Sequence, residues 1–192
     1  PGAVHDRLAL VAQEQRGFAY EGATMAATLI DALPLPRRGR GIGATAAVMG
    51  GPGLPHLFLT YIGIGFAMAR LPRRAWAGVL PAELDSRHHP TLSWLAVDGL
   101  GFDLAYFRPE RYLSGGARPA PYPWAGGQSW YVAKAADQGV GRALWFAHAG
   151  RCAEVARAIE GFAPERREDL WAGVGLAAAF AGQADDVGAL AP

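Results

Sequence analysis

Five charged residues stand where a helix packed on several sides should carry none. Glu21, Asp98, Asp103, Asp137 and Arg142 lie within apolar, glycine-containing segments or one or two places before their leading glycine. Carboxylates held in different environments can divide general-acid and general-base work between them. Glu21, Asp98 and Asp137 are the proton-handling candidates on this reading, with Arg142 as their charge partner and Asp103 as a further polar contact. Asp98 and Asp103 are five apart, about 140° around a helix, so spacing alone does not make them a carboxylate pair. A structural reading stands beside the catalytic one. Buried acids are commonly paired with arginine or bonded to free helix-end donors, and Arg142 and Arg70 are the obvious partners.

Other chemistries find less support. The sequence holds no HExxH, GxSxG or GxxxxGK[ST] motif. Its GxG pairs lack the third glycine and the preceding strand of a dinucleotide fingerprint. His88 and His89 precede Pro90 and are expected in a turn, while His56 sits at a Pro-flanked helix entry; neither spacing supplies a ligand set. Cys152 is the single cysteine, which excludes an internal disulfide and a cysteine-based zinc site and fits a reducing compartment. It falls on an amphipathic stretch and is expected to fill core. The basic clusters "PRR" (Pro72–Arg74) and "RPERY" (Arg108–Tyr112) read as helix ends complementing the dipole. No metal and no cofactor is expected.

The charged outliers recur because the segments recur. "YEGATMAAT" (Tyr20–Thr28), "YIGIGFAMA" (Tyr61–Ala69), "VDGLGFDLA" (Val97–Ala105), "DQGVGRALW" (Asp137–Trp145) and "WAGVGLAAA" (Trp171–Ala179) share one pattern. Their leading glycines are separated by 41, 36, 40 and 34 residues, in the range of helical repeat units. Small residues four apart, as in Gly63–Ala67 and Gly65–Ala69, lie on one helical face and let two backbones approach closely. Alanine favours helix and disfavours strand. The segments are therefore expected as inner helices of a single all-α domain spanning 1–192. A pocket among them, lined by Tyr20, Tyr61, Trp145 and Trp171 with a few polar groups, would suit a large apolar ligand.

The connecting stretches agree. Leu33–Pro55 and Ser114–Gln128 are rich in Pro and Gly and read as loops, the first with a short helical turn. Arg151–Phe162 places Cys152, Val155, Ala156 and Ile159 at helical spacing and reads as an outer amphipathic helix. Pro164 opens the last helix, with Glu165 in its first turn; His89-Pro90 marks the start of another.

Bulk properties narrow the partners. With 192 residues and a net charge of +1, the chain can bury a real core and advertises no basic surface for nucleic acid or anionic membrane. Hydrophobic residues make up 51%, yet the longest uncharged apolar run is the thirteen residues Leu57–Ala69, short of the roughly 20 a spanning helix needs. The chain begins at Pro1 with no signal-peptide pattern, and a cytoplasmic location is expected.

The motifs "RGFAYEGATMA", "GFAMARLPR", "DGLGF" with "AYF", "DQGVGRALWF" and "LWAGVGLAAAFAG" resemble, in order and from about Arg16 to Gly182, an uncharacterised bacterial family named only as a domain of unknown function. Its members occur in enediyne polyketide biosynthetic clusters and in some other clusters, and the resemblance implies specialised-metabolite biosynthesis as the setting. Relatives run longer at the N-terminus, which implies that this chain lacks a segment. The polar positions matching the family are Glu21, Arg70, Arg73, Asp98, Asp137, Gln138 and Arg142.

The leading expectation is a catalytic or accessory protein that holds an apolar polyene-type intermediate and promotes acid/base isomerisation or cyclisation. Glu21, Asp98 and Asp137 would handle protons; Tyr20, Tyr61, Arg70, Asp103, Gln138, Arg142, Trp145 and Trp171 would line the ligand. Two alternatives stand beside it. One is a non-catalytic helical scaffold docking to a partner protein. The other is a terpene-cyclase-like enzyme acting on an isoprenoid, against which the lack of an aspartate-rich metal motif counts.

Overall fold

A computed structural model describes residues 2–33, 43–82, 89–114, 116–124 and 129–182. All regular structure among them is helical: α1 (Gly2–Leu8), α2 (Gln13–Ala32), α3 (Ala44–Met49), α4 (Leu57–Met68), α5 (Trp94–Phe107), α6 (Tyr131–Ala147), α7 (Cys152–Glu160) and α8 (Pro164–Ala181), with single tighter or wider turns between them. The five glycine-rich segments fall on α2, α4, α5, α6 and α8, as the repeat predicts. His88 and parts of both predicted loops lie outside the described residues. No described helix is long and apolar enough to cross a membrane.

The chain separates into two compact units. Of the described residues, the first unit takes those up to Leu100 together with Trp124, and the second takes the rest. In the first, α2 packs on α4 and on α3. Tyr20, Ala27 and Val48 form a core cluster, against which Leu8 and Ala44 pack. Thr24 and Thr28 are buried mid-helix, where a hydroxyl is costly unless bonded. Each donates to the carbonyl four residues back, Tyr20 O at 2.8 Å and Thr24 O at 2.9 Å. Trp76 and Trp124 anchor their turns through indole N–H bonds to Met68 O and Ser93 O.

In the second unit α6 packs chiefly on α8, with α7 against both. Pro164 stands in the first turn of α8 with Glu165 beside it, and Val155 and Ile159 form the buried stripe of α7, both as expected. The linker after the turn at Glu110–Ser114 runs without regular structure from Gly116 to Trp124.

Two glycines two apart point about 200° from each other on a helix, so a GxG presents a bare backbone on opposite sides. The structure uses both. A Cβ on Gly63 would fall within 3.0 Å of Glu21 O in α2, and one on Gly65 within 3.0 Å of Ala96 O in α5. Gly99 faces Ile62 O in α4, whereas Gly101 faces Ala136 O in α6. Gly141 meets Leu170 O in α8, and Gly173 meets Gln138 O in α6. The leading glycine addresses the preceding inner helix and the second glycine the following one. Such contacts admit Cα–H···O approaches and dense packing, which offset the roughly 1 kcal/mol each glycine costs in helix propensity. The first and last copies depart from this: a Cβ on Gly22 of α2 or Gly175 of α8 would meet nothing within 4 Å.

Candidate functional site

The sequence-predicted residues divide between the two units. Tyr20, Glu21, Tyr61 and Asp98 belong to the first, all of them buried. Arg70 is exposed at the end of α4, where its guanidinium donates to Phe66 O at 2.7 Å. Asp103, Asp137, Arg142 and Trp145 are buried in the second unit. Gln138 is half-buried, its amide donating to the Tyr131 hydroxyl at 3.3 Å. Trp171 is 42% exposed on α8.

Asp137 shows the most developed electrostatics. Its side chain is fully buried between two arginines. The Arg166 fork donates through Nη2 to Oδ1 at 2.7 Å and through Nε to Oδ2 at 3.1 Å. Arg118 donates to Oδ2 through Nη2 and through Nε at 2.9 Å. The remaining Arg166 nitrogen donates to Gly116 O at 2.6 Å, and the guanidinium lies over the Phe162 ring. Bidentate charge-assisted bonds of this kind fix geometry as well as charge. They join α6, the N-terminal turn of α8 and the 116–118 stretch. Chemically this is an occupied carboxylate, with both oxygens engaged by cations.

The acid's partners are not Arg142 and Arg70, the two the sequence pointed to. Arg118 sits in the linker after Ser114 and Arg166 in the first turn of α8, and neither is picked out by the glycine-repeat pattern. One signal was available: Arg166 is seven residues before Gly173, so the two share a helical face. Gly173 must face α6, and α6 carries Asp137.

Arg142 instead lies over the Phe102 ring, 4.7 Å from its centroid. Phe102 stacks on Tyr106 at 5.4 Å and meets Phe146 edge-on at 5.7 Å, while Tyr106 meets Phe107 at 5.3 Å. Tyr106, Phe107 and Phe146 are exposed, forming an aromatic ridge at the ends of α5 and α6.

The first unit contributes two tyrosines in contrasting states. Tyr20 shares a 2.7 Å hydrogen bond with His5 Nδ1 and stacks on the His56 ring at 5.1 Å. Burial, helped by the Arg16 charge, holds the His56 imidazole below its ordinary pKa. The Tyr61 hydroxyl is buried without a hydrogen-bond partner among the described residues, and burial pushes its pKa up to about 12. A cleft of about 290 Å³ opens elsewhere in this unit, lined by Thr28, Asp31, Gly43 and Thr45 and by the turn around Val79–Ala82. No residue singled out from the sequence lines it. Among the described residues no three His, Cys, Asp or Glu side chains gather as a metal site would require.

The profile of the family described as "Protein of unknown function (DUF1702)" matches residues 1–191. The chain belongs to this family. No curated protein and no solved structure matches it at a significant level. The DUF1702 chain is thus all-α, with buried acids in both units and glycine contacts between successive helices.

Proposed function

We propose that this DUF1702 chain is a non-catalytic helical module that docks to a partner protein. The carrying observation is that helix backbones occupy the space beside its glycines. At Gly63, Gly65, Gly99, Gly101, Gly141 and Gly173 a single added methyl would collide with a neighbouring carbonyl. Asp137, one of the three proton-handling candidates, is engaged by two arginines. The exposed Tyr106, Phe107 and Phe146 supply the kind of aromatic surface that protein contacts favour. Specialised-metabolite biosynthesis as its setting rests on the motif resemblance.

A second reading, retention of a polyene or isoprenoid with proton transfer, draws on Tyr61. A buried hydroxyl without a partner is costly, and a bound acceptor would relieve it. Native mass spectrometry after incubation with a panel of polyenes and isoprenoids separates the two. The docking reading expects an unshifted apo mass throughout. A stoichiometric adduct that Tyr61→Phe abolishes would replace it with the second reading.

A further inference from the structure

We infer that α8 of one molecule packs on α2 of a second copy of this chain, extending the glycine contacts of the fold from one molecule to the next. Within the chain those contacts follow one rule: the second glycine of a helix is set against the leading glycine of the next. Gly65 of α4 approaches Gly99 C and Leu100 N in α5, and Gly99 in return approaches Ile62 O. Gly141 of α6 and Gly173 of α8 repeat the exchange, with Leu170 O and Gln138 O. Two faces of complementary type stay open. One is the leading-glycine face of α2, at Gly22; the other is the second-glycine face of α8, at Gly175. Each copy therefore carries both halves of the joint on which its own helices are assembled, and a second copy supplies the missing half at either end.

The two faces are built alike. Residues four apart share one side of a helix. On α2 that side reads Phe18, Gly22, Ala26; on α8 it reads Trp171, Gly175, Ala179. Each sets an aromatic ring four residues before the glycine and an alanine four after it. Phe18 is half-buried, Trp171 is 42% exposed, and both glycines and both alanines are exposed. From Trp171 to Ala181 the indole is the only hydrogen-bonding side-chain group on α8. A helix that faces water is ordinarily polar on its outward side. Bare glycine and alanine let a second backbone approach closely, and the aromatic rings add the apolar area that small residues lack. Because a leading face meets a second face, the contact joins unlike surfaces of two copies and either closes into a ring or runs on. It uses residues other than the Tyr106, Phe107 and Phe146 ridge, and it holds whether or not that ridge takes another protein.

The unlike pairing gives the test its form. Gly22→Glu places a charge on the α2 face and Gly175→Glu one on the α8 face. A Cβ at either position meets nothing within 4 Å, and glutamate is the better helix former, so both chains keep the fold. Far-UV circular dichroism verifies this, and Ala26→Glu or Ala179→Glu on the same faces replaces a variant that fails it. A joint of one helix pair is a small interface, so sedimentation velocity is run from about 2 to 200 µM. The parent chain is expected to gain mass with concentration, while each variant alone stays at the mass of one chain. An equimolar mixture of the two variants is expected to form a one-to-one pair of twice that mass, since one supplies an intact α8 face and the other an intact α2 face. A parent that stays monomeric throughout, self-association that survives in either variant alone, or a mixture that stays monomeric would each overturn the assignment.

Discussion

Replacing Asp137 by Asn would keep the side-chain volume and remove the charge that two guanidiniums share. Arg166 is 5% exposed, so its cation would remain buried against Phe162 with a neutral amide where the carboxylate stood. Breaking a buried pair in this way costs about 3–5 kcal/mol, because the surviving charge is left uncompensated. Arg118 is different. Its side chain is 34% exposed, so water screens it, and Arg166 still neutralises Asp137 when it is gone. Arg118→Ala should therefore cost about 1 kcal/mol or less. The assay is urea unfolding at neutral pH followed by far-UV circular dichroism. With a slope of about 2 kcal/mol per molar, Asp137→Asn and Arg166→Ala should each lower the midpoint by about 1.5–2.5 M, and Arg118→Ala by about 0.5 M or less. A loss under about 1 kcal/mol in both Asp137→Asn and Arg166→Ala would refute the assignment of this acid to structure.

Tyr61→Phe should raise stability by about 1 kcal/mol, since it removes a buried hydroxyl that finds no partner among the described residues; a lower thermal midpoint would show that the hydroxyl has one. Because the folded phenol ionises near pH 12, above the ordinary 10.0, the folded state keeps a proton that the unfolded chain releases first. The stability tied to Tyr61 is then fully present below pH 10 and is lost as pH rises toward 12, a decline that alkaline melts of Tyr61→Phe should lack. His56 works in the opposite direction: its depressed pKa means that the unfolded chain takes up the proton first, so stability falls as pH drops below about 6.5. Melting at pH 5.5 and 7.5 should show that loss in the parent chain and a smaller one in His56→Phe, which keeps the stack on Tyr20; equal losses would dismiss the histidine.

The helices were legible because their pattern is local. Glycine and alanine four apart mark a close-packed face, and all five such segments became helix. Pro164, Glu165 and the apolar stripe of α7 were equally readable, since capping and amphipathicity are properties of a few neighbouring residues. The two-sided use of GxG was not read from sequence, though the 200° between residues two apart contains it. The partners of Asp137 were missed because pairing over 19 and 29 residues depends on tertiary placement. The cleft was illegible for a related reason. Its lining comes from α2, from α3 and its N-terminal flank, and from a turn some thirty residues on, and no motif spans them.

The repeated glycines are contact surfaces between successive helices, with Gly22 and Gly175 at open faces. A Cβ on Gly65 would lie 2.5 Å from Leu100 N and 2.7 Å from Gly99 C, where ordinary contact begins at 3.4 Å. The helices must part by about 1 Å, and overpacking of that kind costs about 1–3 kcal/mol or more even after the gain in helix propensity. At Gly175 the same substitution meets open space and should gain up to about 1 kcal/mol. For a chain of this size each kcal/mol moves the melting temperature by about 2–4 °C. The measurement is the thermal midpoint of Gly65→Ala and Gly175→Ala beside the parent chain. The first should fall and the second should rise; two shifts of the same sign would contradict close helix contact at the repeated glycines.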